Sequence, residues 1–203
     1  MKEIFYDWGG INVWLFHAIN NIRFAWLDQF MLLGTALGDH TRFPLYLALL
    51  AMFALVAVNK TVQDSKQDQA LVNRWMVVIA VFSVAYWLDG LLLGVVKPLL
   101  DFPRPPLALG LYLVHVIGTP EYHNSLPSGH SSFAMTVVAS LWSVFNRRWR
   151  VAGVCFVLWV GISRISLGAH FPADVLAGYV SSLSVVLLVS VAIRKLIVFK
   201  HNE

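Results

Sequence analysis

Long apolar runs dominate this chain and set its fold class before any motif is considered. Five stretches, at about residues 43–59, 75–96, 131–145, 151–167 and 175–193, carry almost no charge. A helix needs about 20 such residues, each rising ~1.5 Å, to cross the hydrocarbon of a bilayer. Hydrophobic residues make up 58% of the chain and charged residues 13%, where a soluble domain has about a half and a quarter. A mean hydropathy of +0.68 then decides for an integral membrane protein. The expected fold is all-α: a polytopic membrane helical bundle with five or six transmembrane helices and an amphipathic N-terminal region. The stretches 75–96 and 175–193 are long enough alone. The shorter 131–145 and 151–167 suffice only if their outer ends lie within the headgroup layer.

The whole of 1–203 reads as one integral membrane domain. Within it, residues 1–42 form interfacial amphipathic helices and 43–200 the helical core. In 11–38, apolar Trp14, Leu15, Ile19, Ile22, Trp26 and Leu27 alternate with Asn20, Asn21, Arg23 and Asp28, which suits a helix lying in the interface better than a span. A sixth crossing there stays open. The N-terminus lacks a small-residue cleavage site and is expected to be retained. Residues 60–74 read as a polar connector, and 101–126, with Pro103, Pro105, Pro106 and Pro120, as a surface loop. Cys155 is the only cysteine, so no disulfide framework is possible within one chain.

Basic residues orient the bundle. Lys60, Lys66 and Arg74 share a side with Arg147, Arg148 and Arg150, and with Arg194, Lys195 and Lys200, which the positive-inside rule makes cytoplasmic. This distribution explains the net charge of +4 without nucleic acid. On the opposite face the same alternation gathers three polar clusters: Lys97 with Arg104-Pro105; Pro127-Ser128-Gly129-His130; and Ser163-Arg164 with His170 and Asp174. Charge beside a bilayer is expensive and needs a reason. Lys97 offers a point charge, and Arg104 and Arg164 offer planar forks that match pairs of phosphate oxygens. Ser128 and Gly129 precede an apolar helix whose first N–H groups can face an anion. His170 and Asp174 are four apart, with Pro172 suited to a helix's first turn. A carboxylate on one imidazole nitrogen leaves the other to attack, and His130 can protonate a departing oxygen and then activate water. The cations supply the positive field, so this chemistry requires no metal and no cofactor.

These clusters, in this order over 97–174, resemble the signature of the type-2 phosphatidic acid phosphatase superfamily, membrane lipid phosphatases that share it with the soluble vanadium haloperoxidases. The resemblance implies His170 as nucleophile, Asp174 as its orienting partner and His130 as general acid. Lys97, Arg104, Ser128, Gly129 and Arg164 would line the phosphate site. It implies a lipid phosphatase in the inner membrane with a phosphohistidine intermediate and a site open to the outer face. Its expected partners are the bilayer and a lipid phosphate, with oligomeric state open. The expected substrate is a polyprenyl diphosphate such as undecaprenyl diphosphate, with phosphatidylglycerol phosphate, phosphatidic acid and lipid A phosphates as alternatives. Phosphotransfer between lipids would use the same intermediate. A non-enzymatic lipid transporter is disfavoured because a pathway needs polar groups at several depths, and here the cations lie at one face.

Simpler readings cover the other polar residues. His17, His40, His115, His123 and His201 read as interfacial or structural, with His115 and His123 facing the proposed site. Asp89 suits a hydrogen bond inside the bundle, and Asp101 a pairing with Lys97 or Arg104. Glu121 and Tyr122 are candidates to touch a substrate headgroup.

Overall fold

A computed structural model describes the backbone of residues 6–59 and 65–201 and the side chains of 6–59 and 69–196. The chain enters through a 3-10 turn, Trp8–Gly10, and two short helices, α1 (Ile11–Asn20) and α2 (Ala25–Leu37). Six more follow: α3 (Phe43–Asn59), α4 (Ser65–Leu100), the single turn α5 (Pro105–Ala108), α6 (Gly129–Leu141), α7 (Arg147–Ser166) and α8 (Pro172–His201). The described residues contain no strand. Four helical stretches among them are long and apolar enough to cross a membrane: His40–Asn59, Gln69–Ala108, Arg147–Ser166 and Pro172–Leu196.

The protein is a multi-pass membrane bundle, and large apolar side chains cover its outside. Leu55, Trp87, Leu91, Val95, Leu99, Val180 and Leu188 point outward from α3, α4 and α8. Hydroxyl and charged groups point inward, as hydrocarbon surroundings require.

The third apolar stretch, 131–145, takes a form that hydropathy does not anticipate. Its helix, α6, has only 13 residues and lies at the centre, packed on α4, α7 and α8. Ser131, Ser132, Thr136 and Ser140 are all buried on it. Ser132 Oγ donates to Asp89 on α4, so Asp89 does make the intrabundle bond expected of it. Thr136 Oγ1 lies 2.9 Å from Ser182 Oγ on α8. Small hydroxyl residues let α6 approach its neighbours closely; Ser132 and Thr136 bond across to them, Ser131 Oγ donates to Ser128 Oγ at 3.0 Å, and Ser140 Oγ has no partner among the described residues. At Gly178 the approach is closest, since a Cβ there would lie 2.5 Å from Ser128 O.

The basic residues gather at one end, as the charge pattern anticipates. Arg74 donates to Ser143 O, and the Arg150 guanidinium sits 5.2 Å above the Trp142 ring. Asn146 caps α7 by accepting from Trp149 N at 3.1 Å. The connector 60–74 is helical from Ser65. Lys60 and residues 1–3 lie outside the described residues, as do the side chains of Lys66, Lys200 and His201.

The N-terminal region folds against the opposite end. Asn12, Phe16 and Asn20 form the buried stripe of α1, while Ile11 and Trp14 face outward. With 10 residues, α1 is too short to cross. The buried stripe, spaced by four, carries two asparagines, and Trp14, one of the apolar residues of the sequence pattern, lies on the outer face.

Candidate active site

The three polar clusters converge at the end of the bundle opposite the arginine-rich turn. Each is placed by a helix terminus. Lys97 is in the last turn of α4, Arg104 immediately precedes α5, Ser128 caps α6, Arg164 is in the last turn of α7, and Asp174 lies in the first turn of α8. Backbone bonds tie the second cluster to the third and close the third on itself. Ser128 N donates to Asp174 O at 2.9 Å, while Ala169 N and His170 N donate to Arg164 O at 2.9 and 3.2 Å. The turn after α7 needs Gly168, at φ +76°, where a Cβ would also strike His115 O at 2.6 Å.

His170 is 1% exposed and Asp174 fully buried. The spacing of four would stack them on one face only in a segment helical throughout. Instead α8 begins at Pro172, leaving His170 just outside, and the Asp174 carboxylate folds back over the first turn. Its Oδ2 accepts from Phe171 N at 2.8 Å and faces His170 Nδ1 at 3.4 Å. Ser125 joins them, with its hydroxyl 2.5 Å from Asp174 Oδ2 and 3.4 Å from His170 Nδ1.

The other ring nitrogen fixes the tautomer. His170 Nε2 lies 3.3 Å from Arg104 Nη1, and a guanidinium can only donate. The lone pair is therefore on Nε2 and the hydrogen on Nδ1, facing Ser125 and Asp174. Burial, reinforced by the charges of Arg104, Arg164 and Lys97, holds His170 well below the usual histidine range. A neutral imidazole with an outward lone pair is the form that attacks phosphorus.

Arg104 is 6% exposed, and its fork is fully engaged. Nε donates to His123 O at 2.9 Å, Nη1 to Ala169 O at 3.3 Å, and Nη2 pairs with Glu121 at 2.7 Å. Glu121 itself is exposed on the loop, so it is the member of this set free to yield. Arg164 Nη1 donates to Thr35 Oγ1 at 2.5 Å, while its buried Nε has no partner among the described residues. Such a donor stands ready for an anion. Arg164 and Glu121 border a cavity of about 220 Å³, and Lys97, Asn124 and Gly129 border another of about 650 Å³. Lys97 Nζ reaches Asn124 O at 3.4 Å. The side chain of His130, second residue of α6, makes no hydrogen bond among the described residues and lies within electrostatic reach of Arg164, His170 and Asp39.

All eight residues singled out in the sequence thus sit at this one end. Asp101 pairs with His123 at 3.2 Å rather than with Lys97 or Arg104. Sequence reasoning missed Ser125, Thr35 and Tyr6, which donates to Asp174 Oδ1 at 2.8 Å. For Ser125 a signal existed in its position two residues before Pro127 of the second cluster. Tyr6 and Thr35 carried none, being ordinary residues of an apolar segment.

Comparison with known proteins agrees with this geometry. The chain is 30% identical over 147 residues, 71% of its length, to a lipid A 1-phosphatase of Rhizobium johnstonii. It is 29% identical over 147 residues to one of Rhizobium etli. It spans 59% and 62% of the lengths of those relatives. Its fold is similar to that of Aquifex aeolicus LpxE, with a TM-score of 0.71 and 24% identity over 88% of this chain and 94% of that one. It is also similar to a transmembrane PAP2 type phosphatidylglycerolphosphate phosphatase from Bacillus subtilis, with a TM-score of 0.69 and 24% identity over 94% of this chain and 88% of that one. With motif, site geometry and fold in agreement, and residues 75–197 matching the PAP2 superfamily family model, the chain belongs to the PAP2 superfamily.

Proposed function

We propose that this protein hydrolyses a lipid phosphate monoester through a phosphohistidine intermediate. The observation that carries the reading is the His170 imidazole, held on Nδ1 by Ser125 and Asp174 and presenting Nε2 to a guanidinium at 3.3 Å. A phosphoryl transfer transition state spreads charge over three equatorial oxygens, so catalysis rests on fixed donors around them. Arg104, Arg164 and Lys97 take that role, with the α6 N-terminus at Ser128 and Gly129 adding backbone N–H groups. Nε2 of His170 forms a bond to phosphorus as the bond from phosphorus to the lipid oxygen breaks. His130 gives its proton to that oxygen. It then takes a proton from water, whose oxygen displaces the histidine and releases inorganic phosphate. Asp174 stabilises the positive charge that His170 carries while phosphorylated.

The names of the relatives move the favoured substrate from a polyprenyl diphosphate to the 1-phosphate of lipid A, with phosphatidylglycerol phosphate next. The apolar exterior around α4 suits a substrate whose tails stay in the bilayer. The basic residues at the far end support a site facing the outer side of an inner membrane.

Phosphate release from lipid A 1-phosphate, phosphatidylglycerol phosphate, phosphatidic acid and undecaprenyl diphosphate, compared in one detergent, tests the reading. Fastest turnover of the first, abolished by His170→Ala, is expected. Turnover of the His170→Ala protein near the wild-type rate would exclude the assigned nucleophile. A phosphorylated lipid product in place of free phosphate would make the enzyme a transferase.

A further inference from the structure

The segment N-terminal to α3 lies outside the matched family region, yet it grips the loop that carries the reactive histidine. Asn12 Oδ1 accepts from Ala173 N at 2.9 Å. Asn20 donates to His115 O at 2.8 Å and to Ser166 O at 2.9 Å, and Arg23 donates to Ser166 O at 2.7 Å. Phe16 is fully buried, with its ring 5.2 Å from that of Phe171. These contacts hold the chain from 165 to 173. One residue goes further, into the catalytic pair. The Tyr6 ring lies 4.4 Å from Phe102 and 6.1 Å from Phe171, which aims its hydroxyl at Asp174 Oδ1, 2.8 Å away.

We propose that Tyr6 is a positioning residue for the reaction, fixing the Asp174 carboxylate so that its other oxygen stays on His170; this rests on the phosphatase reading above. The two oxygens have separate holders. Oδ2 takes Ser125 and Phe171 N and faces the imidazole, while Oδ1 has Tyr6 as its only partner among the described residues. A fully buried carboxylate oxygen without a donor is costly, so loss of the phenol hydroxyl would turn the carboxylate or make it more basic. Burial and the neighbouring Asp174 charge push the Tyr6 hydroxyl well above the usual tyrosine range, so it remains a donor at any pH of assay. The titratable and charged groups facing the His170–Asp174 pair are Arg104, Arg164, Lys97 and His130, and Tyr6 is the contribution of the N-terminal segment.

Tyr6→Phe keeps the ring and its packing and deletes only the donor, so the test is its pH–rate profile beside wild type. With less hydrogen bonding to its carboxylate, Asp174 binds a proton more readily and also favours protonated His170. Either event disables the pair, so both move the acid limb of kcat/KM to higher pH. The expected shift is about one pH unit, typical of losing one hydrogen bond to a carboxylate. The expected fall in kcat at the optimum is about tenfold, equivalent to ~1.4 kcal/mol, with KM unchanged. Asn12→Ala, which loosens the same segment without touching the carboxylate, should lower the melting temperature and leave the limb in place. A Tyr6→Phe profile that overlays wild type, or one reduced in amplitude with the limb unmoved, would overturn the proposal. Wild-type protein that releases no phosphate from any lipid phosphate would sink the phosphatase reading, and this inference with it.

Discussion

Replacing Arg104 by lysine tests whether the site works through fork geometry or through charge alone. The substitution keeps one positive charge at a position 6% exposed, but an ammonium concentrates its three hydrogens on one nitrogen. The guanidinium divides its edges among His123 O at 2.9 Å, Ala169 O at 3.3 Å, His170 Nε2 at 3.3 Å and Glu121 at 2.7 Å. Lysine cannot hold the loop carbonyls and also meet two oxygens of a phosphoryl group beside His170. Two charge-assisted bonds in the transition state are then lost, each worth about 1.5–3 kcal/mol. Taking the lower end because the charge remains, the loss is about 3–4 kcal/mol, or about 10²–10³-fold in kcat/KM. Initial rates of phosphate release over a range of lipid phosphate concentrations would measure it. Orthovanadate, which resembles the trigonal bipyramidal transition state, should lose affinity by a similar factor. A thermal midpoint near that of wild type shows that the loop still folds. If Arg104→Lys stayed within about threefold of wild type in both rate and vanadate inhibition, the fork would be irrelevant and the reasoning wrong.

Other positions give sharper local tests. Ser125→Ala removes the 2.5 Å donor to Asp174 and should lower kcat about 10- to 100-fold, since a lost buried bond of this kind costs about 1–3 kcal/mol; unchanged turnover at saturating substrate would remove Ser125 from the site. Arg164→Gln deletes a charge that disfavours protonated His170, so the acid limb of the pH–rate profile should move upward; a limb that stays or moves down contradicts the electrostatics. Gly178→Ala places a Cβ 2.5 Å from Ser128 O, and overpacking of about 1–3 kcal/mol should lower the melting temperature by about 2–12 °C. Activity should fall with it because Ser128 caps α6, and a melting curve that matches wild type would mean that the α6–α8 contact is looser than described.

The helical class, and the residues proposed for the candidate site, could be picked out in the sequence because hydrocarbon imposes a simple rule. Charge is excluded unless it functions, so Lys97, Arg104, Arg164, His130, His170 and Asp174 stood out as exceptions. Hydropathy said less about α6, because Ser132 and Thr136 are there to bond across helices, and a window average registers only a weakened span. The supporting residues were less visible still. Tyr6 and Asn20 act on Asp174 and Ser166 from far along the chain, and no local spacing marks such a pairing. Asp101 illustrates the converse: proximity in sequence to two cations suggested a partner, while the fold turned it toward His123.

The start of α6, rather than its length, sets where a substrate is met. Thirteen residues rise only about 20 Å, against about 30 Å of hydrocarbon. Ser128 N donates to Asp174 O at 2.9 Å, so α6 begins level with α8 and the two helix starts hold the site between them. On the proposed function, a lipid's phosphate would be gripped where these two helices start together, while its chains stay among their neighbours in the bilayer.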